Sequence, residues 1–197
     1  LPIYQNPIIQ QDLETLWSAS IEWDYLKNKT IVVTGATGMI ATYFVFMLLY
    51  LNEKYNYNIQ LLLLARNKNK LEQIFGKRRE VKFIVQDVCD RIIIPARTDY
   101  ILHAAGSASP YAIIHDPIGI IKANTMGTIN VLEMAKLTTI KKVLFTSTRE
   151  IYGKVENITS IKETDMGILD PLDPRSCYPE SKRIAETLLK SYSIQYG

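Results

Sequence analysis

Near the end of the chain, Tyr178-Pro179-Glu180-Ser181-Lys182 sets a phenol and an ammonium four residues apart. At the opening of a helix, that spacing puts both on one face. An ammonium beside a phenol favours the phenolate, which can take the proton of a substrate hydroxyl while hydride leaves the same carbon. A second polar group, Thr146-Ser147-Thr148-Arg149-Glu150, follows the apolar residues Val143, Leu144 and Phe145. Hydroxyls and a carboxylate at the carboxyl end of a strand stand where open α/β sheets bind ligands. A departing hydride needs an acceptor, and Thr34-Gly35-Ala36-Thr37-Gly38-Met39-Ile40-Ala41 is suited to hold one. It lies between the apolar run Ile31-Val32-Val33 and another from Tyr43 to Leu51, the order strand, tight turn, helix. Such a turn points backbone N–H groups and a helix dipole at the pyrophosphate of a dinucleotide. Gly35 permits the turn, Gly38 lets backbone approach phosphate, and Ala41 lets helix and strand pack closely. In a chain with 12 tyrosines the Tyr-x-x-x-Lys spacing alone means little. Behind the glycine turn and a hydroxyl-rich strand end it carries weight.

These groups need a scaffold that brings strand ends together, and the pattern supplies one. Strands are expected at Lys29–Thr34, Ile59–Ala65, Val81–Val85, Tyr100–Ala104 and Val143–Thr146. Helices are expected from Gly38 to about Glu53, at Asn67–Phe75, at Pro117–Lys136 and from Glu180 to about Tyr196. Strands alternating with helices specify a doubly wound parallel sheet with helices on both faces. Residues 30–197 read as that α/β domain. Residues 1–29 read as a helical extension, with Ile8, Ile9, Leu13, Leu16 and Trp17 at helical spacing, followed by a connector through Trp23, Asp24 and Tyr25. The long irregular stretch from Lys154 to Cys177, with Pro171 and Pro174, has the length of a functional loop.

Other strand ends carry further candidates. After the second strand stand Arg66 and Asn67, where a ribose-reading carboxylate is expected in a plain NAD site. Arg66 can meet a 2′-phosphate, lie against the adenine, or be a surface arginine. After the third, Asp87-Val88 can bond the adenine amino group or cap a turn. After the fourth, Ala104, Ala105 and Gly106 leave room for a cofactor, while His103 and His115 read as structural. Asn124, in the following helix, needs buried partners, and the sheet end can supply them.

The composition is that of a globular protein: 197 residues, 47% hydrophobic and 22% charged. A net charge of +3 is too small to argue for nucleic acid or a membrane surface. The longest apolar run, Met39–Leu51, is too short for a bilayer span, and no signal peptide is visible. Cys89 and Cys177 lack metal-ligand spacing and read as free thiols, so no metal site and a cytoplasmic location are expected.

With these residues in place, the chain resembles the extended short-chain dehydrogenase/reductase family of nucleotide-sugar epimerases and dehydratases. The matching pieces are T-G-A-T-G-M-I-A, H-A-A-G, N-T-M-G-T-I-N-V-L-E, F-T-S-T-R-E-I-Y-G and Y-P-E-S-K-R-I-A-E, spanning Lys29 to the end. The resemblance implies a Rossmann-type domain whose cofactor, NAD or NADP, touches Gly35, Thr37, Gly38, Met39, Ile40, Arg66, Asp87, Val88, Ala104, Ala105, Gly106, Asn124 and Thr146. It implies a triad of Thr148, Tyr178 and Lys182. Thr148 bonds the sugar C4 hydroxyl, Tyr178 acts as base, and Lys182 tunes it and holds the nicotinamide ribose. Asn124 supports the lysine through a water. Glu150 is a further catalytic group, and Ser107, Arg149 and Arg175 line the nucleotide-diphosphate sugar.

The resemblance is greatest to UDP-glucuronate decarboxylases, through S-T-R-E-I-Y-G and P-R-S-C-Y-P-E-S-K-R. The 4,6-dehydratases carry Asp-Glu after the threonine, but here Arg149-Glu150 stands instead. The 4-epimerases, which need only the triad, stay open, as does a non-catalytic cofactor-binding regulator. Family members continue into a smaller substrate-gripping domain, so the chain is expected to be the N-terminal portion of a longer enzyme, inactive alone. A homodimer through the helices at Pro117–Lys136 and Glu180–Tyr196 is also expected.

Overall fold

The run Leu61-Leu62-Leu63-Leu64 has no polar face, so both its sides must be covered, and all four residues are buried. The computed structural model describes residues 3–95, 97–156 and 159–197, which form two compact units. The first comprises Leu1–Asp87, Ile93–Ala105 and Leu137–Phe145; the second comprises Val88–Ile92, Gly106–Lys136 and Thr146–Gly197.

The first unit contains a parallel sheet of β1 (Thr30–Thr34), β2 (Gln60–Ala65), β3 (Val81–Val85), β4 (Tyr100–His103) and β5 (Lys142–Phe145). Their order is β3-β2-β1-β4-β5, the Rossmann-type arrangement that reverses direction at β1. Register runs from Thr34 to Leu64 on one side of β1 and to His103 on the other. The apolar helix α2 (Met39–Tyr55) packs against β1 and is buried continuously from Val45 to Leu51. Asn56, in the left-handed conformation at φ 54°, ends it. Asn52 then bonds both the N–H and the C=O of Ile59, fixing the entry to β2. Helix α3 (Lys68–Phe75) is capped by Asn67, whose Oδ1 accepts from the Lys70 N–H at 3.0 Å.

The N-terminal helix, α1 (Pro7–Ser18), follows the cap residue Asn6. Residues 1 and 2 of the expected extension lie outside the described residues. Of the five apolar positions, Ile9 and Leu13 are buried and Trp17 stacks on Tyr55 at 3.9 Å between ring centroids. Ile8 and Leu16 are instead exposed. Only the i, i+4, i+8 stripe meets the core, so the buried face is narrower than the periodicity suggests. The connector contains a short 3₁₀ turn, Trp23–Leu26.

In the second unit, α5 (Pro117–Lys136) packs on α6 (Cys177–Tyr196), and a short α4 (Pro110–His115), not expected from periodicity, precedes them. Asp116 separates α4 from α5 and accepts the Gly119 N–H at 3.0 Å through its carboxylate. Helix α6 begins three residues earlier than expected, because Pro179 fits a first helical turn, where its missing N–H is not needed. Tyr178 is therefore helical. Of the irregular stretch, residues 157 and 158 lie outside the described residues. The remainder holds an antiparallel bridge between Lys154 and Ile168 and a capped turn at Pro174–Ser176. Among the described residues no helix is long and apolar enough to cross a membrane.

Candidate functional site

The glycine turn leaves β1 at the point where strand order reverses. Gly35 has φ +64°, and a Cβ there would stand 2.5 Å from the Ala104 carbonyl oxygen and 2.7 Å from the Ala105 Cα. The turn is held by Ala36 N–H donating to Leu64 O at 3.2 Å and Gly38 N–H donating to Gly35 O at 2.9 Å. Below it, Thr34 Oγ1 accepts from the N–H groups of Ala104 and Ala105, both at 3.2 Å, and meets His103 Nδ1 at 2.8 Å. With its acceptor capacity used, that hydroxyl is left to donate to Nδ1. His103 is buried and paired in the core, as its structural reading required.

Above the turn, Gly38 precedes the first residue of α2 and offers no side-chain cap. The side chains of Met39 and Ile40 are turned outward, 79% and 64% exposed, and Thr37 is half-buried. The first N–H groups of α2 have no intrahelical acceptor and face an uncovered helix end, which fits an anionic pyrophosphate. A Cβ on Gly38 would meet only Gly35 O, at 3.2 Å. Ala41 is buried, as close packing requires. At the next strand ends, Arg66 Nη1 lies 3.6 Å from Asp87 Oδ2.

In the second unit, the Lys182 side chain is almost wholly enclosed, 4% exposed, and its Nζ donates to Thr146 O at 2.8 Å. Thr146 falls one residue beyond β5, whose register with β4 ends at Phe145 opposite His103. Tyr178, one turn before Lys182, is buried with Ile113 and Ile120. Asn124 is fully buried: its Nδ2 donates to Ser181 Oγ at 2.9 Å, and Ser181 Oγ donates to Tyr178 O at 3.0 Å. Its Oδ1 has no hydrogen-bond partner. A Cβ on Gly106 would lie 2.7 Å from that oxygen and 3.8 Å from Lys182 Nζ, so one glycine adjoins an orphan acceptor and an ammonium. That acceptor and donor set fits the ribose hydroxyls of a dinucleotide or a bridging water.

Thr148 Oγ1 accepts the Glu150 N–H at 3.3 Å and caps the 3₁₀ turn Arg149–Tyr152. Glu150 is gripped by Arg175, Nη2 to Oε1 at 2.7 Å, and Asp173 holds the Arg175 backbone at 2.8 Å. Arg149 is exposed; Ser147 bonds Glu186; Ser107 Oγ accepts the Ser109 N–H at 3.4 Å. Val88 is buried, with Cγ1 2.7 Å from where a Cβ on Gly127 would stand.

Two contributors escaped the sequence reading. Arg183 donates to Ile151 O at 2.5 Å and to Gly167 O at 3.0 Å, tying the Thr148 turn and its loop to α6. Ser181 links Asn124 to the backbone of Tyr178. A lone helical arginine reads as solvated; its position directly after Lys182 was the available signal.

Burial pushes Lys182 down from 10.5 to about 8, with Glu186 opposing. The unfolded chain therefore binds more protons than the folded one between those values, and stability rises with pH across that window. Urea unfolding of the full-length protein should show wild type gaining about 2 kcal/mol over Lys182→Met between pH 7 and pH 10. A difference that does not change with pH would mean that the ammonium is not desolvated.

Comparison with known proteins agrees with this arrangement. The family model described as "NAD dependent epimerase/dehydratase family" matches residues 31–197. The chain is 35% identical over 173 residues to UDP-glucuronic acid decarboxylase 6 of Arabidopsis thaliana, covering 88% of this chain and 49% of that protein. It is 32% identical over 170 residues to UDP-glucuronic acid decarboxylase 1 of Danio rerio, covering 86% and 39%. The chain thus spans about half, or less, of the length of these relatives. Similar solved structures include the Bordetella bronchiseptica enzyme WbmF in complex with NAD+ and UDP (TM-score 0.65, 21% identity, covering 88% of this chain and 48% of that one). Another is UDP-glucose 4-epimerase of Thermotoga maritima with UDP-glucose (TM-score 0.68, 24% identity, covering 85% and 52%). At such identities these structures speak for the fold alone. The family match covers more than half of the chain and takes in both the glycine turn and the Tyr178–Lys182 helix: the chain belongs to the NAD-dependent epimerase/dehydratase family.

Proposed function

We propose that this chain is the dinucleotide-binding part of an enzyme that oxidises the C4 hydroxyl of a nucleoside-diphosphate sugar, with decarboxylation of a uronic acid as the favoured outcome. The carrying observation is Lys182, buried on Thr146 O, one helical turn from Tyr178. A bound nicotinamide dinucleotide supplies the hydride acceptor and, later, the donor. In the first unit the Gly35 turn and the open end of α2 would hold a pyrophosphate; in the second, Lys182 and Asn124 would hold ribose hydroxyls. Thr148 orients the C4 hydroxyl, and Tyr178 takes its proton as the C4 hydride departs. In a uronic acid the resulting C4 ketone is β to the carboxylate, so the C5–C6 bond breaks and carbon dioxide leaves. C5 then takes a proton from solvent, and Tyr178 returns its proton to the C4 oxygen as that carbon is reduced.

A specific observation favours a second reading, 4-epimerisation. Glu150 is engaged in an ion pair with Arg175 rather than left open toward a substrate, and epimerisation needs no base beyond the triad. Dehydration is disfavoured, since Arg149 stands where that branch carries its acid. A non-catalytic regulator would have no use for both Tyr178 and Lys182. A homodimer through α5 and α6 and a reducing cytoplasmic setting complete the reading.

The test is mass spectrometry of products after the full-length protein meets a panel of UDP-, dTDP- and GDP-sugars. Loss of carbon dioxide from a uronic acid is the expected result. No mass change with inversion at C4 would select the epimerase reading, and no product from any sugar would sink both.

A further inference from the structure

The end of β2 departs from the family's name. The register Thr34 to Leu64 and the bond from Ala36 N–H to Leu64 O join β2 to the glycine turn, and Arg66 follows two residues later. In folds of this kind the adenosine ribose lies over that strand end, and a carboxylate there accepts from its 2′- and 3′-hydroxyls. Here the chain reads Arg66-Asn67-Lys68-Asn69-Lys70. The amide oxygen of Asn67 is committed to capping α3. The first carboxylate after β2 is Glu72, on α3, facing Lys68 at 3.9 Å. Nothing in the segment 66–71 therefore offers a carboxylate to ribose hydroxyls.

What the segment does offer is positive charge with a free approach. The Arg66 side chain is 78% exposed, and its contact with Asp87 at 3.6 Å is longer than a hydrogen bond. An exposed pair of that kind holds a guanidinium weakly. A phosphate monoester, nearly dianionic and rich in acceptors, is a better partner for the guanidinium fork than one distant carboxylate. Asp87, on the adjacent strand end, steadies the guanidinium without occupying it.

We propose that the end of β2 is a 2′-phosphate subsite and that Arg66 selects NADP(H) over NAD(H). The proposal rests on the reading of the Gly35 turn as a dinucleotide site. It is tested by calorimetric titration of the full-length protein with NADP+, NAD+, 2′,5′-ADP and 5′-ADP, none of which requires turnover. Wild type should bind NADP+ at least about tenfold more tightly than NAD+, the size expected for one charge-assisted pair. The same ratio should separate 2′,5′-ADP from 5′-ADP. Arg66→Gln should erase the preference while keeping NAD+ affinity within about twofold, which also reports that the variant is folded. Equal or tighter binding of NAD+ by wild type, or an undiminished preference in Arg66→Gln, overturns the subsite and leaves the dinucleotide reading standing. Binding of neither dinucleotide overturns both.

Discussion

Tyr178→Phe in the full-length protein is expected to lose turnover by about 10²- to 10⁴-fold, the range for removing a positioned general base. Dinucleotide affinity should stay within about twofold, because only the phenolic oxygen is removed. The ring packs with Ile113 and Ile120, and phenylalanine keeps that packing. The Asn124–Ser181 bond and the Lys182–Thr146 bond do not involve the Tyr178 hydroxyl and should persist. Steady-state assays with the substrate identified by mass spectrometry, beside calorimetric dinucleotide binding, make the measurement. A module that only binds dinucleotide would be unchanged in every respect. Turnover within tenfold of wild type would remove Tyr178 from the role of base.

Gly35→Ala should be the most damaging small substitution in the first unit. A non-glycine residue at φ +64° costs about 1–2 kcal/mol through contact with its own backbone. The added methyl would also meet Ala104 O at 2.5 Å and Ala105 Cα at 2.7 Å, which are main-chain atoms. They cannot yield cheaply, since both residues are anchored through their N–H groups to Thr34 Oγ1. Overpacking of this kind adds about 1–3 kcal/mol. Gly76 makes a useful comparison: its φ is +65° with ψ −171°, a region open essentially to glycine alone, but nothing lies within 4 Å of a Cβ placed there. Gly76→Ala should therefore show a conformational cost without a clash, about 1–3 kcal/mol. Urea unfolding of both variants should show the larger loss for Gly35→Ala. Equal losses would mean that the close approach of Ala104 is not rigid.

Recognition of the Gly35 turn from residue types worked because its requirements are local. A strand, a glycine at positive φ and a helix opening all fall within a dozen residues. The all-apolar Leu61–Leu64 strand and the i, i+4 placement of Tyr178 and Lys182 are legible for the same reason: period and spacing are properties of the neighbouring chain. Short α4 was missed because six residues between two prolines carry too little periodicity to register. The exposure of Ile8 and Leu16 was missed because periodicity tells which residues share a face, not how much of that face a neighbour covers.

The tertiary structure decided everything that depends on partners distant in sequence. The burial that lowers Lys182, and the orphan oxygen of Asn124 beside Gly106, join residues well separated along the chain. So do the grip of Arg175 on Glu150, the hold of Arg183 on two loop carbonyls, and the contact of Arg66 with Asp87. In each case residue type and spacing are compatible with several partners, and topology alone selects one. Desolvation and ion pairing depend on what surrounds a group in space, so a lysine in a motif acquires its shifted proton affinity only when strand end and helix close around it.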